Sequence, residues 1–158
     1  NNQYNRFHHS QEIQILRTYI GKLAEYVFLK FIQSQKINYL EGDMFSIFQG
    51  QTNVDNFDFV TCKGEYVDIK TASRRFHTRI MIPIDQFRLK KDYYVGIKLH
   101  FMESGEKIIY NNINRATIYG YIDRETMESR PTEYFGEGDC KSIKLTQLYD
   151  IKILLSKF

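Results

Sequence analysis

Apolar residues near the start of the chain recur at helical spacing. Leu16, Tyr19, Ile20, Leu23, Val27 and Phe31 lie three or four positions apart, which predicts one long amphipathic helix from Ser10 to about Gln35. Ser10 is suited to cap it, and Glu12 falls favourably in its first turn. The period then drops to two. A short strand is expected near 44–48 in "INYLEGDMFSIFQG", and "FDFVTCKGEYVDIKTA" reads as a hairpin around a Lys-Gly turn. A basic stretch with one proline follows, and "IDQFRLKK" suits a short helix. "DYYVGIKLHF" alternates, with Tyr93, Val95, Ile97, Leu99 and Phe101 on one face and Tyr94, Gly96, Lys98 and His100 on the other. "ESGEK" reads as a turn, "RATIYGYID" as a strand, "GEGD" as a loop, "SIKL" as a short strand and "TQLYDIKILLSKF" as a closing helix. Helix, strands, then helix and strand again predict an α/β sandwich around a central mixed sheet. No repeat or linker divides it, so residues 1–158 are expected to form a single domain.

Composition narrows the function. With 42% hydrophobic residues and two prolines, the chain has the makings of a packed core. Cys62 and Cys140 are far apart and in no C-x-x-C spacing, which excludes a zinc ribbon or a four-cysteine iron–sulfur site and suits a reducing compartment. No apolar run reaches the roughly 18 residues of a membrane span. The opening "NNQYNRFHHS" lacks the apolar stretch of a signal peptide, so a soluble cytoplasmic protein is expected. His8, His9, His77 and His100 make no metal-ligand spacing, no Walker pattern is present, and neither cysteine belongs to a nucleophile arrangement.

Asp-x-Lys occurs three times: Asp68-Ile69-Lys70, Asp139-Cys140-Lys141 and Asp150-Ile151-Lys152. On the expected closing helix, Asp150 and Lys152 project about 200° apart and cannot converge. Asp139 and Lys141 follow two glycines, where nothing is expected to fix their side chains. On a strand, period two brings Asp68 and Lys70 to one face. If Cys62-Lys63-Gly64 forms a three-residue loop, Thr61 pairs with Glu65, Val60 with Tyr66 and Asp58 with Asp68. The two aspartates would then lie about 5 Å apart at Cβ, with Lys70 beside them. A two-residue loop would put them on opposite faces.

Facing carboxylates are tolerable in solvent, with a shared proton, or around a cation such as Mg²⁺, which takes hard oxygen ligands and keeps several waters. The plainer reading is a solvated strand face carrying an Asp–Lys pair. Glu25 favours the cation. Gly21 lies one turn before it and Phe28 and Leu29 one turn after, on an apolar flank where Gly21 would admit another backbone closely. Here too there is a plainer reading, an edge glutamate paired with Lys22 or Lys30.

Gly21 to Glu25 as G-x-x-x-E, Asp58 at a strand start and Asp68-Ile69-Lys70 on the next strand together resemble the PD-(D/E)XK nuclease superfamily. The resemblance covers about residues 10–102 and implies a restriction-endonuclease-like αβββαβ core, with 103–158 as a C-terminal elaboration of strand and helix additions. Asp58 follows Phe57 where the signature has proline, and Asp55 rivals it for that position. The resemblance further implies Mg²⁺-dependent phosphodiester hydrolysis, with Mn²⁺ as a substitute. Asp58, Asp68 and the Ile69 backbone carbonyl would be metal ligands. Glu25 would support a ligand water or a second metal, and Lys70 would position the attacking hydroxide.

The next segment bears on substrate. Residues 70–98 hold eight Lys and Arg against two Asp, whereas the whole chain has a net charge of only +3. Clustered cations neutralise phosphates. Arg74, Arg75, His77, Arg79, Lys90 and Lys91 are therefore expected to contact nucleic acid, most simply DNA. Tyr93, Tyr94, Tyr119 and Tyr121 could stack on bases, although strand tyrosines usually pack. A homodimer is compatible with the lack of a separate target-reading domain. The alternative is a catalytically inactive nucleic-acid-binding domain of the same fold.

Overall fold

The computed structural model describes residues 11–35, 59–105 and 107–158. Within them, α1 (Gln11–Ser34) leads to β1 (Phe59–Val60), β2 (Tyr66–Ala72), β3 (Arg79–Pro83) and α2 (Ile84–Phe87). Then come β4 (Tyr93–Ser104), β5 (Lys107–Asp123), α3 (Arg124–Ser129), β6 (Glu133–Tyr134), β7 (Asp139–Lys144) and α4 (Ile151–Leu155). The fold is mixed α/β. A four-stranded sheet has the order β1-β2-β4-β5, with β2 and β4 parallel and the outer pairings antiparallel. The parallel pair requires a crossover, and β3 and α2 supply it.

The alternation in β4 sorts the two cores. Val95, Ile97, Leu99 and Phe101 bury one face against α1, whose inward line is Ile20, Ala24, Phe28 and Ile32. Phe28 meets Phe59 edge-on, with ring centroids 4.9 Å apart. The expected helix positions Leu16, Leu23, Val27 and Phe31 flank this line half-buried, whereas Tyr19 is exposed. On the other face, Tyr94 joins Ile80, Ile82, Phe87, Met127 and Ile143 under a second sheet of order β3-β7-β6.

A notch joins the two halves. Gly96 of β4 faces Gly120 of β5, and the chain around Leu148 and Tyr149 crosses over them. A Cβ at Gly96 would meet Leu148 Cδ1 at 2.5 Å. At Gly120, whose φ is 150°, a Cβ would meet the Tyr149 carbonyl oxygen at 2.1 Å. Backbone bonds between Tyr121 and Tyr149, at 3.0 and 2.8 Å, complete the crossing.

Several expectations need correction. "TQLYDIKILLSKF" is a 3-10 turn at Leu145–Gln147 followed by a short α4, because Asp150 caps that helix through a bond from the Lys152 amide. The strand β3 and helix α3 were not foreseen. The expected strand near 44–48, Ser10, Asp55 and Asp58 lie outside the described residues. Residues 107–144 are more than an addition, since β5 is the fourth strand of the central sheet and β7 is the middle of the second. Among the described residues, no helix is long and apolar enough to cross a membrane.

Candidate active site

The hairpin closes in the expected register. The Thr61 amide donates to the Glu65 carbonyl at 2.9 Å, Val60 faces Tyr66, and Phe59 faces Val67. Gly64, with φ 78°, makes the left-handed turn that a three-residue loop needs. Phe59, Thr61 and Val67 are buried, so Asp68 and Lys70 belong to the opposite face. Beyond Val67, the partner of β2 among the described residues is β4 alone. Here Asp68, Ile69 and Lys70 of β2 line a cavity of about 480 Å³.

Residues of β2, α1, the crossover and, with Glu137, the β6–β7 connection line it. From β2 come Asp68, Ile69 and Lys70. From α1 come Thr18, Gly21, Lys22 and Glu25, whose spacing makes one flank of the helix. From the crossover come Pro83 and Gln86. Lys70 Nζ lies 3.0 Å from Asp68 Oδ2 and donates to Gln86 Oε1 at 3.0 Å. Lys22 Nζ lies 2.8 Å from Glu25 Oε2. Their side chains are 12 to 20% exposed, screened from bulk water yet reachable. No described backbone approaches Gly21 closely. Among the described residues, nothing outside its own helix and chain neighbours lies within 4 Å of where its Cβ would be, and Gly21 lines the cavity.

Glu25, Asp68, Ile69 and Lys70 are thus brought into one cavity, while Asp58 lies outside the described residues. Among the described residues, no three His, Cys, Asp or Glu side chains cluster as a ready cation site. The carboxylates of Glu25 and Asp68 are the hard oxygen donors that Mg²⁺ or Mn²⁺ takes, and a lysine neutralises each of them.

The expected nucleic-acid contacts divide. Lys91 is buried at this same cavity, with its ammonium 5.7 Å from the Tyr66 ring centroid. Lys90 is exposed on the turn after α2, with φ 57°. Arg74, His77 and Arg79 line a second cavity of about 560 Å³, which shares Arg17, Thr71, Met81, Pro83 and Glu137 with the first. Arg75 and His77 line a third cavity of about 980 Å³ with Lys98, His100, Arg115 and Lys144. Burial, then Arg74 and Lys98, hold the His77 imidazole below its usual value. Burial, then Arg115 and Lys98, do the same to His100.

Of the tyrosines considered for stacking, Tyr94 and Tyr121 are buried. Tyr93 bonds Glu65 at 3.0 Å; burial and that bond push its phenol up to about 12. Tyr119 is 39% exposed. Phe76 and Phe135, which no sequence motif singles out, also face water beside the cations. The signal for Phe76 was its place inside the basic run.

Comparison with protein-family models, with curated proteins and with solved structures gives no match.

Proposed function

We propose that the chain is a metal-dependent nuclease that hydrolyses phosphodiester bonds in DNA, with a restriction-endonuclease-like core. The observation that carries this reading is the convergence of Glu25, Asp68 and Lys70, from two separate elements, on one cavity. The parallel pairing of β2 with β4 across a helix-bearing crossover, beside the antiparallel β1, is compatible with that core. The cations along the adjoining cavities suit a phosphate backbone.

A divalent cation held by Asp68, with Glu25 and the Ile69 carbonyl as further oxygens, would supply hydroxide near neutral pH and offset charge on the phosphate. Lys70 has the chain's own part. Its ammonium, held by Asp68 and Gln86, is aimed into the cavity where a scissile phosphate would gather negative charge. When Asp68 turns to a cation, Gln86 keeps hold of Lys70. Lys22 plays the matching part for Glu25, neutralising it until a ligand enters.

The test is cleavage of supercoiled, linear and branched DNA, and of RNA, with Mg²⁺ or Mn²⁺, using Asp68→Ala and Lys70→Ala as controls. Metal-dependent cleavage that both variants lose supports the proposal. Salt-sensitive binding without cleavage under any condition would replace it with the inactive binding domain.

A further inference from the structure

The second cavity has features that a bare phosphate track does not need. It shares Arg17, Thr71, Met81, Pro83 and Glu137 with the carboxylate cavity, and His77 lines both it and the third cavity. Phe76 stands on its rim 71% exposed, and Phe135 lines it 42% exposed. Leaving a phenyl ring in water forgoes about 25 cal/mol for each Å² of apolar area that could be buried. Each ring has a guanidinium beside it: Arg74 lies 5.9 Å from the Phe76 centroid and Arg79 5.8 Å from that of Phe135. His77 and Phe76 make a T-shaped contact with centroids 4.8 Å apart, and each guanidinium lies over its ring, so a stacked base would take the opposite face. The acids present are Glu137, Asp139 and, in the third cavity, Glu103. Glu137 lies 3.2 Å from Arg17, and Glu103 lies 3.8 Å from Arg75. Against them stand Arg74, Arg75, Arg79, Lys98, Arg115 and Lys144, so the line of cavities is positive.

Alternating cations and exposed rings suit unpaired nucleic acid, whose bases have free faces to stack. A duplex keeps those faces stacked on one another and offers mainly phosphates and groove edges. We infer that the Phe76–Phe135 cavity is a stacking platform for unpaired bases, so that the substrate is a single strand or a single-stranded branch leading into the carboxylate cavity. This rests on the nuclease reading for the purpose of the platform, but its test does not need catalysis.

The experiment is fluorescence anisotropy of the full chain in EDTA. The probes are a labelled oligothymidylate of about 16 nucleotides and a duplex of the same length. The single strand should bind more tightly. Phe76→Ala and Phe135→Ala should each lower its affinity about 5- to 150-fold relative to the duplex, with Phe76→Trp restoring it. Because Phe76 is exposed, its substitution leaves the core intact, which circular dichroism checks. Equal affinity for both probes, equal loss on both, or displacement by polyglutamate as effective as by unlabelled oligothymidylate would overturn the inference. Failure of the nuclease reading looks different: the platform binds single strands as described, yet Mg²⁺ or Mn²⁺ produces no cleavage.

Discussion

The strands β2 and β7 carry the same local motif, an aspartate and a lysine two positions apart. Sequence reasoning set the β7 copy aside because of its neighbouring glycines, yet Asp139 and Lys141 lie on a regular strand with period-two geometry of their own. The difference comes from what stands opposite. Lys70 has Asp68 and Gln86 as partners, in a cavity that Glu25 also lines. Lys141 reaches the Glu128 carbonyl, at 3.2 Å, and that of Arg130, so it neutralises the C-terminal end of α3. Asp139 is left exposed. A tripeptide on a strand therefore provides only a direction. The neighbouring elements decide whether that direction leads to a site or to a cap.

The largest effect that could break this contrast is catalytic. Lys70→Ala should lower cleavage by about 10²- to 10³-fold in kcat, the usual cost of one transition-state charge partner, whereas Lys141→Ala should cleave normally. Parallel single-turnover rates would show it, and equal loss in both would end the distinction. Gln86→Ala should follow with about a 10- to 100-fold loss, because it frees Lys70 without removing it. Gln86→Glu, which keeps the acceptor, should recover part of that loss.

Stability should rank the two lysines the other way. Lys141→Met should cost about 1–2 kcal/mol in urea unfolding, since it strips charged hydrogen bonds from two carbonyls at a helix end. If Lys70→Met costs as much, β2 is as structural as β7.

Acidity sets the smallest effect and the background for the others. His77 and His100 are held below their usual value in the folded chain. Below about pH 6.5 the unfolded chain therefore takes up more protons than the folded one, and stability falls as pH drops from 7 towards 5. The urea midpoint should decrease over that window, and His100→Gln should flatten the decrease. Comparisons of the two lysines belong above it, at pH 7 to 8.

Much of this was legible in the chain because it depends on near neighbours. The hairpin register followed from Gly64 and the pattern around it, and the two faces of β4 followed from simple alternation. The candidate residues Glu25, Asp68 and Lys70 stand out by their order along the chain, and all three line one cavity. Other features depend on residues far apart in sequence. Pairing of β3 with β7 brings segments about sixty residues apart together, and no local period announces it. The burial of Lys91, whose ammonium lies over the Tyr66 ring, and the exposure of Phe76 on the β2–β3 loop each reverse what hydropathy alone suggests. The closing helix was read too long because "YDIKILL" has helical spacing, while Asp150 acts as its cap.

The glycine notch carries a consequence for motion. With no side chain at Gly96 or Gly120, a crossing peptide seats directly on the β4–β5 backbone and is bonded there from both sides. Such a seat resists sliding much as a dowel does, so the β4–β5 pair and the segment that follows β7 should shift as one block. On the proposed reading, Asp68 on β2, the neighbour of β4, would then keep a set position against that block.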